Sequence, residues 1–151
     1  MLVLGIGNPL RRDDGAGPAV AARLAGQALE TLEVRTLSGE VAGLLDAWAG
    51  HDDVLVLDAV ASGEPPGTLH RYAAADGPLP AAFSSFSTHG FGLAEAIELA
   101  RALGKLPRRL TVYGIEGEDF RSGEGLTPAV EAAVGWVVSE LGRDHTAHSA
   151  R

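Results

Sequence analysis

Residues 1–17 read MLVLGIGNPLRRDDGAG, an apolar run from Met1 to Ile6 that stops at Gly5-Ile6-Gly7-Asn8 and is followed by two adjacent carboxylates, Asp13 and Asp14. A second run, Val54 to Val60 (VLVLDAV), is apolar apart from Asp58. Short continuous apolar runs bounded by turn residues read as strands buried on both faces, the pattern of a parallel sheet covered by helices. Both runs belong at the centre of such a sheet.

Helix and strand signals alternate outward from them. Pro18 to Leu29 places Val20, Leu24 and Ala28 on one helical face, with Pro18 in the first turn, where its missing N–H costs little. Leu32 to Leu37 (LEVRTL) alternates like a strand, and Val41 to Ala49 reads as a short helix. Gly63, Pro65, Pro66 and Gly67 make a rigid turn before an edge strand, Thr68 to Tyr72. A loop with Pro78 and Pro80 shows no periodicity through Ser87. Gly92, Ala96, Leu99 and Leu103, alternating with Leu93, Ile97 and Ala100, then continue a helix that Ser87 or Thr88 caps. Arg109 to Ile115 is a further strand. Thr127-Pro128 opens the last helix, whose apolar face is Val130, Val134, Val137, Val138 and Leu141. The expectation is a single α/β domain of three layers over residues 1–142, a mostly parallel twisted sheet of about five strands with helices on both faces. The polar stretch 143–151 (RDHTAHSAR) is expected to be a disordered tail.

The totals narrow the function. A chain of 151 residues suits one core, and 46% hydrophobic with only 5% aromatic residues means a core of Ala, Val and Leu. Twenty acidic against twelve basic residues, net charge −8, repel a phosphate backbone, so nucleic acid is not an expected partner. With no cysteine there is no thiol nucleophile, thiolate metal ligand or disulfide, and the cytoplasm is the expected compartment. We expect no signal peptide, and no stretch approaches the ~18 apolar residues that cross a bilayer.

The opening residues admit two chemistries. A dinucleotide site requires Gly-x-Gly-x-x-Gly, but Leu10 stands in the third place after Gly5 and Gly7, and no Gly-Lys-Ser/Thr loop occurs. Adjacent carboxylates would also oppose a phosphate. The other reading uses the carboxyl ends of the strands, where open parallel sheets bind ligands. Asp58 lies at or near one such end and Asp14 just past another, and His89, placed at the start of the third helix, can reach the same rim. Two carboxylates and an imidazole suit nickel, zinc, iron or manganese and leave coordination positions free. The three residues are 44 and 31 positions apart, so only the fold can bring them together.

Plainer roles stand beside these. Asp13 or Asp14 can cap the first helix, and His89 can be a capping-loop histidine. Asp58 is harder to explain structurally, because a carboxylate closing a run of Val and Leu costs several kcal/mol if buried unpaired. His51 and His70 read as surface loop and edge positions, and His145 and His148 fall in the tail.

Taken together, GIGNPLRRDDGAGPAV (5–20), LDAVASGEPPGTL (57–69) and STHGFGLAEAIELA (87–100) resemble the hydrogenase maturation endopeptidases, with RRLTVYGIEGE and GLTPAVEAAV matching that family's last strand and helix. The resemblance runs from residue 1 to about residue 142. It implies an aspartic-type endopeptidase that removes a C-terminal extension from a nickel-iron hydrogenase large-subunit precursor. It also assigns nickel contact to Asp14, Asp58 and His89. The nickel would be supplied by the precursor and serve as the recognition feature, with Asp14 and Asp58 also acting in catalysis and no organic cofactor. One departure is the turn Ser38-Gly39-Glu40-Val41, where the family carries an Asp-Gly-Gly-Thr-like sequence. The alternative is a nickel-dependent assembly chaperone of the same fold that docks on the precursor without cutting it.

Overall fold

The computed structural model describes residues 1–80 and 92–149. Among these, five strands form one sheet: β1 (Leu2–Ile6), β2 (Glu33–Leu37), β3 (Asp53–Val60), β4 (Leu69–Ala73) and β5 (Arg109–Glu116). The helices are α1 (Ala16–Gly26), α2 (Val41–Trp48), α3 (Leu93–Ala102) and α4 (Pro128–Ser149). The strand order is β2-β1-β3-β5-β4, parallel except for β4, an edge strand antiparallel to β5.

Side-chain alternation along the strands divides the core into two layers. Leu2, Leu4, Ile6, Val54, Val56, Val60, Leu110 and Val112 meet α2 and α3 through Leu44, Trp48, Ile97 and Ala100. Val3, Leu55, Leu57, Ala59 and Ile115 face the opposite way, onto Val20 and Leu24 of α1 and Val130, Val134, Val137, Val138 and Leu141 of α4. Helices on both faces bury both sides of β1 and β3, which is why these strands read as near-continuous apolar runs, broken in β3 by Asp58. β2 lies at an edge, with Glu33, Arg35 and Thr36 exposed and Val34 and Leu37 half-buried.

Two glycines let α1 lie close against the sheet. A Cβ on Gly17 would stand 2.4 Å from the Leu57 carbonyl oxygen and 2.5 Å from that of Ile6, and one on Gly5 would stand 2.4 Å from the Gly17 carbonyl oxygen. The close-packing glycine that a nucleotide fingerprint puts at position 10 is therefore supplied by Gly17, inside the helix.

Two expectations need correction. The stretch 143–149, expected to be disordered, continues α4 to Ser149. It holds no Pro or Gly, and extending an existing helix needs no new nucleus. Arg143 pairs with Glu140, His145 Nδ1 lies 2.9 Å from the Leu141 carbonyl oxygen, and Thr146 Oγ1 donates to the Gly142 carbonyl at 2.9 Å. The third helix begins at Leu93, with the Glu95 carboxylate accepting from the Gly92 N–H at 2.9 Å. The expected caps Ser87 and Thr88 lie outside the described residues. No helix among the described residues is long and apolar enough to cross a membrane.

Candidate active site

From β1 the chain passes through α1 to β2 at one edge, and α2 returns it to β3 on the other side of β1. Strand order thus reverses between β1 and β3, and the crevice at the carboxyl ends there is the ligand position of open α/β sheets. Asp14 follows β1, and Asp58 lies in β3 between the buried Val56 and Val60 on the α2/α3 face.

A 3-10 turn, Arg12–Gly15, presents Asp14. The Asn8 N–H donates to Asp14 Oδ2 at 2.8 Å, and Gly7, at φ +142°, lies so close that a Cβ there would come within 1.9 Å of the Asp14 carbonyl oxygen. Neither carboxylate of the Asp13-Asp14 pair caps α1, whose N-cap is Gly15. Asp14 is half-buried, and its burial raises its proton affinity in spite of the Asn8 N–H and the nearby Arg11 charge. Burial, reinforced by the charge of Asp14, pushes Asp58 up to about 8. The structure therefore brings these two acids together, in an arrangement that makes both reluctant to be negative at once.

Asp13 has another role. It is fully buried, and its Oδ2 accepts from the N–H groups of Glu118 (2.8 Å) and Asp119 (2.9 Å) and the Thr127 hydroxyl (2.8 Å), while Oδ1 accepts from the Thr127 N–H (2.8 Å). Burial alone would raise its proton affinity, but these bonds outweigh it and hold the carboxyl below the usual range. Backbone bonds from Arg12 N to Gly123 O, Asp13 N to Asp119 O and Gly123 N to Leu10 O tie the same loops together.

A second buried carboxylate closes β5. Glu116 accepts from the Ser62 N–H at 2.8 Å, contacts the Ser62 hydroxyl, and lies 3.1 Å from His70 Nε2. Burial works against its charge, yet the Ser62 and His70 contacts lower its pKa overall. The sequence pattern puts His70 on a surface edge, whereas its side chain is largely covered and held by Glu116. The signal was present, since Glu116 ends an apolar strand much as Asp58 does. Glu40, in the departing turn, is exposed, and Gly39 packs against Ile6. His51 lies 3.7 Å from Glu33, away from the acids. His89, the third expected ligand, lies outside the described residues. Among the described residues no group of three or more His, Asp or Glu side chains is placed to hold a metal ion. What they provide is the pair of neighbouring carboxylates, Asp14 and Asp58.

Topology and acidic pair together define a one-domain α/β protein with a carboxylate site at its strand-order reversal. The family model for hydrogenase maturation proteases matches residues 30–143. The hydrogenase 2 maturation protease of Escherichia coli is 35% identical over 138 residues, covering 89% of this chain and 83% of that protein. The hydrogenase expression/formation protein HupD of Rhodobacter capsulatus is 34% identical, covering 95% of this chain and 70% of its own length. Among solved structures, the hydrogenase maturating endopeptidase HybD from E. coli matches with a TM-score of 0.72 at 30% identity, over 93% of this chain and 88% of that one. The chain belongs to the hydrogenase maturation protease family, and it is a peptidase of the hydrogenase maturation type.

Proposed function

We propose that this peptidase removes the C-terminal extension of a nickel-loaded large-subunit precursor of a nickel-iron hydrogenase, and that Asp14, Asp58 and His89 recognise the precursor's nickel. The observation that carries this reading is the Asp14–Asp58 pair. Burial raises the proton affinity of both carboxylates, the charge of Asp14 raises that of Asp58 further, and a divalent cation between them relieves both the burial and the repulsion. A site of this kind is poorly set up while empty and becomes favourable when the substrate brings the ion. Completing the coordination would hold the scissile peptide beside the metal. A water then attacks the peptide carbonyl, the C–N bond breaks, and the freed amine takes a proton, with either the metal or one of the carboxylates activating the water. The relatives' names, hydrogenase 2 maturation protease among them, support the substrate class. We assign the reaction to the cytoplasm, without nucleic acid or membrane partners.

The test mixes the purified chain with nickel-loaded precursor and follows shortening of the large subunit. Wild-type protein is expected to cleave, and Asp14→Asn, Asp58→Asn and His89→Ala to remain folded and lose cleavage by about a hundredfold or more. Binding without shortening by the wild type would favour the assembly chaperone. Full cleavage by all three variants would overturn the site.

A further inference from the structure

We propose that Asp13 is a positioning residue for this site: through its clamp on the loop between β5 and α4 it holds the Asp14 carboxylate against Asp58. The inference rests on the reading that Asp14 and Asp58 serve catalysis. It adds that the segment Glu118 to Thr127, which contributes no candidate ligand, is part of what makes the site work.

Asp14 lies on the turn Arg12–Gly15 and Asp58 on β3, so the two acids belong to different elements and their mutual placement depends on how that turn is anchored. Among the described residues the Asp14 side chain accepts one hydrogen bond, from the N–H of Asn8, which lies in the same loop and cannot fix that loop relative to β3. Asp13, the adjacent residue, supplies the external anchor: a fully buried carboxylate accepting four hydrogen bonds from Glu118, Asp119 and Thr127. Glu118 follows shortly on β5, which pairs with β3 from Asp53 to Val60, and Thr127 precedes α4, which packs on α1. The clamp therefore refers Asp14 to the strand that flanks Asp58 and to the helix that braces α1. Arg12, at φ +46°, takes up the strain of the connecting turn.

The experiment uses the full chain with nickel-loaded precursor and four variants: Asp13→Asn, Thr127→Val, Thr127→Ser and Asp14→Asn. Each is first checked for folding by circular dichroism and thermal unfolding. A misplacement of about an ångström lowers the turnover of a bound substrate by about a hundredfold. The expected result is therefore a kcat/KM for folded Asp13→Asn lower by that order, a smaller loss for Thr127→Val, and near-wild-type activity with Thr127→Ser, which keeps the hydroxyl. A purely structural role would lower thermal stability without this loss at a temperature where the variant is fully folded. Wild-type kcat/KM in folded Asp13→Asn overturns the inference, while inactivity of Asp14→Asn leaves the function standing. If Asp13→Asn does not fold, the Thr127 pair decides, and a wild-type rate for Thr127→Val overturns the inference. Full activity of Asp14→Asn overturns the underlying reading instead.

Discussion

Asp58 sits where a carboxylate is costly, among Val56, Val60 and the acid of Asp14, and its proton affinity is raised from 3.8 to about 8. Because the folded value exceeds the unfolded one, this group withdraws stability from the nickel-free protein progressively as pH rises from about 4 to about 8. Asp58→Asn is expected to raise the stability of the nickel-free protein by a few kcal/mol at pH 8 and hardly at all at pH 4, read by thermal unfolding at both. On the proposed function, activity and stability are thus opposed at one side chain. Glu116 behaves in the opposite sense. Its folded value lies below 4.5, so its contribution is present above that pH and lost as the solution is acidified. Glu116→Gln, which leaves the Ser62 and His70 contacts imperfectly matched, is expected to cost about 1–3 kcal/mol at pH 7 and less at pH 3. Urea unfolding at the two pH values measures the difference.

At the scale of elements, the fit of α1 on the sheet makes a sharper prediction. Gly17→Ala places a methyl group within 2.5 Å of two backbone carbonyls that belong to strands and cannot swing aside, so the helix must lift. The expected cost is about 3 kcal/mol or more. By contrast, a Cβ added at Gly43 in α2 or Gly135 in α4 would meet nothing within 4 Å, and neither glycine has a positive φ. Alanine at either is expected to stabilise by about 0.5–1 kcal/mol, and melting temperatures of the three variants order these effects directly. The strands and helices themselves were legible because their apolar patterns are local: the LVLGI run, the VLVLDAV run interrupted only by Asp58, the alternation of LEVRTL, and the valine face of α4. Where α4 ends was not. Its last turns are held by Arg143, His145 and Thr146 bonding back to the preceding turn, contacts that composition does not display.

For the molecule as a whole, the opposing groups combine into a stability curve. Asp13 and Glu116 favour folding above the ordinary carboxylate range, while Asp58 disfavours it increasingly toward pH 8. The nickel-free protein is expected to be most stable near pH 5, at the crossing of these trends, and Asp58→Asn should shift the maximum upward; a pH series of thermal melts tests both. That Asp14 and Asp58 are neighbours was legible because Asp58 breaks an apolar strand and Asp14 follows another. Asp13 was not separable from a helix cap, since its partners lie more than a hundred positions away in sequence and meet it only in the fold. That long reach bears on biosynthesis. Both acids leave the ribosome before β5, Glu118 and Thr127 do. A nascent chain stalled before them would carry every acidic group of the pair without the frame that orders it. Cleavage competence should therefore switch on abruptly, only once the segment through Thr127 and the core-forming turns of α4 have been made, rather than accumulate as the chain grows.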